Sequence, residues 1–142
     1  MFYIGRGLDY AMSMEASLKL KEISYIHCEA YAAGELKHGT ISLIEPGTPV
    51  LAIATDPGLV DKTESNIREV RSRGAQVTMI CREGTQVPEE SADEIVFLPN
   101  RSEAAVLFAS LTAVQMIAYE TAARLGCDID RPRNLAKSVT VE

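Results

Sequence analysis

The sequence predicts an α/β fold of three layers, a parallel sheet flanked by helices, and three observations carry that expectation. Val50-Leu51-Ala52-Ile53-Ala54, Val77-Thr78-Met79-Ile80-Cys81 and Glu94-Ile95-Val96-Phe97-Leu98 are short apolar runs bounded by turn formers, as strands buried on both faces should be. The stretches between and around them carry helical periodicity. The whole is 142 residues, 46% apolar and 24% charged, which suits one domain with a continuous core.

Taken in order, Met1-Phe2-Tyr3-Ile4 reads as a strand, and Gly5-Arg6-Gly7 as the turn that follows it. Such a loop is either a tight turn or a cradle for phosphate at a helix N-terminus, and Gly-x-Gly alone does not choose between them. Asp9 is placed to cap a helix running from about Tyr10 to Ile26, with Ala11, Met14, Leu18 and Tyr25 toward the core. Glu29 to Gly39 is polar and rich in small residues, a loop with one short helical turn at Glu35 to His38.

After the strand at 50–54, Asp56-Pro57-Gly58 makes a turn. An amphipathic helix follows over about Leu59 to Arg73, with Val60, Ile67 and Val70 inward and Gly74 closing it. The polar stretch from Arg82 to Asp93 separates the last two strands. Glu103 to Leu125 is the longest helical pattern, its Met and Leu residues expected in the core. The segment 127–142 shows no periodicity and must dock to be ordered.

Composition narrows the function. A formal charge of -6 argues against nucleic acid or an anionic membrane as the main partner, because phosphate backbones call for a basic surface. No unbroken apolar run reaches the roughly 20 residues of a membrane span, and the first four residues are too short for a signal peptide. The expected location is therefore cytoplasmic. Cys28, Cys81 and Cys127 form no Cys-x-x-Cys pair and have no histidine at ligand spacing, so neither a disulfide framework nor a metal site is expected.

On the first helix, Glu15, Lys19 and Glu22 stand at i, i+4 and i+7 and line one face. Two carboxylates and an ammonium in a row form either a solvated, ion-paired stripe or the wall of a site. Spacing alone allows both.

Three motifs are more specific. Leu18-Lys19-Leu20-Lys21-Glu22-Ile23-Ser24-Tyr25-Ile26-His27, then Glu29-Ala30-Tyr31-Ala32-Ala33-Gly34-Glu35-Leu36-Lys37-His38-Gly39, and the closing Arg131-Pro132-Arg133-Asn134-Leu135-Ala136-Lys137-Ser138-Val139-Thr140-Val141-Glu142 closely resemble the C-terminal half of the glucosamine-6-phosphate synthase family. These enzymes are also called glutamine:fructose-6-phosphate aminotransferases (isomerising). The resemblance covers essentially the whole chain. It implies a flavodoxin- or Rossmann-like sugar isomerase (SIS) domain over 1–126, the second of two in the family, and a tail over 127–142 that contributes to the active site.

The resemblance also implies roles. Glu22 matches the general base that moves a proton between C1 and C2 of the sugar imine. Lys19 and Glu15 match its substrate-binding neighbours. His38 resembles the histidine that assists ring opening, supplied in the family by the other subunit of a homodimer. Lys137 resembles the tail lysine whose amine forms an imine with the open-chain ketose, and Ala136 lines the sugar through its backbone. Apart from the resemblance, His27 is expected to be structural, bonding a backbone carbonyl, and Arg131 and Arg133 either touch an anion or, the favoured reading, anchor the tail by hydrogen bonds.

No cofactor and no metal is implied. The glutaminase and first SIS domains of the family are the implied partners of this chain, together with a sugar phosphate. Met1-Phe2 offers no cysteine nucleophile, and Thr55-Asp56-Pro57-Gly58 lacks the Ser-x-Ser-Gly-x-Thr loop that grips phosphate. The chain by itself is thus expected to lack synthase activity. A non-catalytic module that binds a phosphosugar is the competing class, and a deglycase-like relative a third.

Overall fold

The computed structural model describes residues 1–135. Five strands, β1 (Phe2–Gly5), β2 (Glu29–Ala32), β3 (Pro49–Ala54), β4 (Gln76–Arg82) and β5 (Glu94–Leu98), form one sheet in the order β2-β1-β3-β4-β5. Every neighbouring pair is parallel. The helices are α1 (Leu8–Ser24), α2 (Val60–Arg71) and α3 (Glu103–Arg124), with short 3-10 turns at Leu36–His38, Thr40–Leu43 and Glu89–Ser91.

Alternation along the strands shows why the sheet is covered on both sides. Val50, Ala52 and Ala54 join Ile4, Met79 and Cys81 beneath Ile67 and Val70 of α2 and Leu36, Ile41 and Ile44 of the connecting turns. Leu51 and Ile53 join Tyr3 and Ile80 on the opposite side, against Leu20 of α1 and Val106, Val114 and Ala118 of α3. These are the three layers expected. The strand order is that of the flavodoxin-type doubly wound sheet, and its reversal falls between β1 and β3.

Four expectations are corrected. Glu29–Ala32, expected as loop, is strand β2 at the sheet edge, paired with β1 from Phe2↔Glu29 to Gly5↔Ala32. All four of its residues are only half-buried, so it lacks the apolar run that marks the inner strands.

Met14 and Leu18 do not face the core; they are 46% and 44% exposed. The buried face of α1 consists of Asp9, Ser13, Ala16, Ser17, Leu20 and Ser24. Small residues let α1 lie close to the sheet and to α3. The buried hydroxyls remain bonded within the helix, Ser13 to the Asp9 carbonyl at 2.8 Å and Ser24 to the Leu20 carbonyl at 2.6 Å.

The Met and Leu stripe of α3 is likewise not its core face. Val106, Ser110, Val114, Ala118 and Ala122 are buried, while Phe108 and Met116 are exposed. By length and composition α3 could also cross a membrane, a possibility that a search for unbroken apolar runs misses; here its small-residue face enters the core. Finally, Asp9 does not cap α1. Gly7 holds the N-cap position, and the Asp9 carboxylate crosses to the loop after β3.

Candidate active site

The predicted row exists. On the outer face of α1, Lys19 Nζ donates to Glu22 Oε2 at 2.7 Å and lies 3.7 Å from Glu15 Oε1. All three side chains are about one-third exposed, open enough to meet a solute and packed enough to hold one geometry. The hydrogen bond to Glu22 raises the Lys19 pKa, partial burial opposes the rise, and Glu15 adds to it. The ammonium is therefore held charged between two carboxylates.

Because α1 runs antiparallel to β1, Glu22 lies in its last turn, near the edge where the strands begin. His38 lies elsewhere. It ends the 3-10 turn after β2, at the edge where the strands finish, exposed, with Leu36 of the same turn buried in the core. No hydrogen bond or ion pair among the described residues joins His38 to the row. A single chain thus holds these two predicted groups apart.

The loop that carries His38 is braced from β1. Arg6 donates to Asn66 Oδ1 of α2 from Nε at 3.2 Å and Nη2 at 2.8 Å, and its guanidinium lies against Gly34. His27 is exposed. Its Nε2 lies 3.7 Å from a Glu29 carboxylate oxygen rather than on a backbone carbonyl, which corrects that expectation.

Beyond α3 the chain turns back toward the end of α1. The Arg133 backbone N–H donates to the Tyr25 hydroxyl at 2.8 Å, and its guanidinium stands 4.0 Å over the Tyr25 ring. Arg133 is therefore an anchor, as expected; the Arg131 N–H instead bonds Asp128 Oδ1 within the segment. Ala136 and Lys137 lie outside the described residues.

With the geometry in view, the comparisons decide the family. The SIS domain pattern matches residues 1–125. The chain belongs to the SIS domain family. It is 55% identical over 142 residues to the glutamine–fructose-6-phosphate aminotransferase (isomerising) of Clostridium acetobutylicum, covering 100% of this chain and 23% of that protein. The Streptococcus pneumoniae enzyme of the same name is 54% identical over 141 residues, again covering 23% of that protein. The chain thus spans about a quarter of the relatives it matches.

Among solved structures, the C-terminal domain of glucosamine-fructose-6-phosphate aminotransferase from Francisella tularensis superposes with a TM-score of 0.82 at 36% identity, over 92% of this chain and 37% of that one. A glucosamine-6-phosphate deaminase from Thermotoga maritima gives 0.73 at 26% identity, over 97% and 39%.

In this SIS domain the crevice at the β1/β3 reversal, where doubly wound sheets usually receive ligands, is a cavity of about 240 Å³ lined by Asp9, Thr55, Asp56, Arg82 and Glu103 among others. Its Thr55 and Asp56 backbone donors are already in use. Asp9 accepts from the Thr55 N–H at 2.7 Å, the Thr55 hydroxyl at 2.5 Å and the Asp56 N–H at 3.2 Å, and Arg82 Nε donates to the Thr55 carbonyl. Among the described residues no group of three or more His, Cys, Asp or Glu could hold a metal.

Two residues escaped the sequence reading. Asp9 announced only a cap. Tyr25 gave no sign of its role, because its partner lies 108 positions away.

Proposed function

We propose that this SIS domain is the isomerase side of a glutamine–fructose-6-phosphate aminotransferase. In this reading residues 1–126 are the second SIS domain of a longer cytoplasmic protein, and 127–142 the tail that completes the site. The observation that supports it best is the Lys19–Glu22 pair, about one-third exposed, at 2.7 Å, in a chain 55% identical to the end of an enzyme of that name.

The chemistry assigns one task to each group. The neutral amine of Lys137 adds to the C2 carbonyl of open-chain fructose 6-phosphate and forms an imine with loss of water. Ammonia, supplied from glutamine by a domain outside this chain, displaces the lysine. Glu22 then takes a proton from C1 and returns it at C2 while the C1 hydroxyl proton passes to the nitrogen, which converts the C2 imine to an amine and C1 to an aldehyde, giving glucosamine 6-phosphate.

Lys19 holds Glu22 in one position, and Glu15 holds Lys19. Ala136 lines the sugar through its backbone. His38 assists ring opening from a second copy of the chain, a division that its separation from Glu22 within one chain favours. The exposed apolar side chains of α1 and α3, Met14, Leu18, Phe108 and Met116, form the face that the preceding domain covers. Phosphate is gripped outside this chain, since Asp9 already fills the crevice donors.

The test is Glu22→Gln in the longer protein. Synthesis of glucosamine 6-phosphate should fall by about two to four orders of magnitude while glutamine hydrolysis stays measurable, because loss of a positioned base removes roughly 10² to 10⁴ in rate. Retained synthesis removes the base assignment, and synthesis by this chain alone from fructose 6-phosphate and ammonia removes the claim that phosphate is gripped elsewhere.

A further inference from the structure

The Gly5-Arg6-Gly7 loop, open in the sequence to two readings, takes its task from its middle residue. The loop joins β1 to α1, yet Arg6 reaches α2, which covers the opposite side of the sheet from α1. There Nε and Nη2 both donate to Asn66 Oδ1, at 3.2 and 2.8 Å. Asn66 is only 5% exposed, so the acceptor is fixed in place. Two prongs on one buried oxygen hold a planar guanidinium in one orientation.

Gly34 rests on that group. A Cβ at residue 34 would lie 2.7 Å from Arg6 Nη2 and 3.3 Å from Cζ and Nη1, so only glycine lets the backbone come this close while Arg6 keeps its bonds. From Gly34 to His38 the chain is short and tied at each step. The Ala33 N–H donates to the Gly5 carbonyl at 2.8 Å, the Glu35 N–H to the Ala32 carbonyl at 2.8 Å and the His38 N–H to the Glu35 carbonyl at 3.0 Å. Leu36, between them, is 1% exposed.

We infer that Arg6 is a positioning residue for His38: it clamps Gly34 to α2 through Asn66 and so fixes the turn that presents the imidazole. The loop after β1 is thus a clamp on that turn and not a cradle for phosphate. The inference rests on the proposed function only for what His38 does, which is to move a proton as the furanose C2 hydroxyl gives one up and the ring oxygen takes one. The clamp itself lies within one chain.

The first test is a double-mutant cycle in the longer protein. His38→Ala should slow synthesis of glucosamine 6-phosphate about a hundredfold or more. Arg6→Ala should slow it about tenfold or more, as displacing a reacting group by about an ångström does, with glutamine hydrolysis intact. If Arg6 acts through His38, the double variant should stay within about threefold of His38→Ala alone, because an absent side chain cannot be misplaced; independent effects would multiply. Arg6→Lys, which keeps the charge without the fork, should recover part of the loss. Gly34→Ala leaves residue 6 intact and pushes its guanidinium aside, so it should reproduce the loss even if Arg6→Ala folds poorly.

The second test needs no sugar and uses the 142-residue chain. Lys37 is exposed in the clamped turn, and tryptic cleavage after it reports how often the turn opens. Arg6→Ala should quicken that cleavage by about tenfold, as the loss of a buried pair of hydrogen bonds implies. Cleavage after Lys19, within α1, should keep its rate in the same digest. Equal Lys37 cleavage in variant and parent, a parallel rise at both bonds, or a double variant slowed by the product of the two single effects overturns the inference. Should His38→Ala leave synthesis unchanged, the role given to His38 falls, while Lys37 cleavage still upholds or overturns the clamp.

Discussion

Asp9 satisfies both donors of Thr55, its Oδ2 taking the backbone N–H at 2.7 Å and its Oδ1 the hydroxyl at 2.5 Å. Asp9 and Thr55 are 1% and 3% exposed, so neither partner has water to fall back on. The bond joins the first turn of α1 to the end of β3 across the reversal of the sheet. A carboxylate of the chain itself sits where a phosphate would seek backbone N–H groups, and a ligand anion would have to displace it.

Asp9→Ala should therefore be costly. It leaves the Thr55 N–H and hydroxyl buried without an acceptor, each worth roughly 1–3 kcal/mol when stranded, so a loss of about 2–6 kcal/mol is expected. Urea unfolding would report it as a lower midpoint at an unchanged slope. A midpoint equal to the parent's would mean that the crevice relaxes or takes in water at little cost. Asp9→Asn, which keeps one acceptor oxygen, should lose less.

Two glycine replacements should differ in size for a stated steric reason. A Cβ on Gly5 would lie 2.5 Å from the Asp9 carbonyl oxygen and 2.8 Å from the Tyr10 backbone nitrogen, atoms of a helix that cannot yield. Gly5→Ala is expected to cost about 3 kcal/mol. A Cβ on Gly34 meets only the tip of Arg6, at 2.7 Å. The guanidinium can swing aside if it gives up Asn66, so Gly34→Ala should cost nearer 1 kcal/mol. Thermal midpoints in the reverse order would refute the argument.

The inner elements were legible in the sequence because burial on both faces leaves a plain signal. Val50 to Ala54 and Val77 to Cys81 carry it, and α2 shows it through Ile67 and Val70. Edge strand β2 left no such trace, since its residues are half-buried and Glu29 is held by the Tyr31 hydroxyl at 2.6 Å. The core faces of α1 and α3 were misread for the opposite reason: apolar periodicity selects the largest side chains, whereas tight helix packing selected serine and alanine. Of the site, the Glu15–Lys19–Glu22 row follows from local spacing. The Tyr25–Arg133 contact has no local spacing to betray it.

The cysteines should react in a fixed order. Cys28 and Cys81 are buried and Cys127 partly exposed, so a thiol reagent at pH 8 should modify Cys127 alone until the chain unfolds. Burial pushes the Cys81 thiol from 9.0 up to about 11, and burial pushes Cys28 and Tyr3 upward as well. The folded state thus keeps protons that the unfolded state has released, and stability falls as pH rises. The Cys81 contribution is complete below pH 9 and lost as pH climbs to about 11. Urea midpoints that stay level from pH 8 to pH 11 would contradict this.

Lys19→Met separates a working row from a solvated stripe. The two ion pairs of Lys19 are about one-third exposed, and pairs of this type on a helix contribute a few tenths of a kcal/mol each. The raised Lys19 pKa places that contribution at full strength at neutral pH, to be lost only above the ordinary value of 10.5. The variant should accordingly unfold within about 1 kcal/mol of the parent at pH 7. If the row is only a surface stripe, nothing else changes. If Lys19 holds Glu22 for proton transfer, synthesis by the longer protein should fall by at least tenfold with glutamine hydrolysis intact, since misplacing a base by about an ångström costs up to 10² in rate. Full synthesis at unchanged stability would return the row to the solvent-facing stripe that its spacing alone allows.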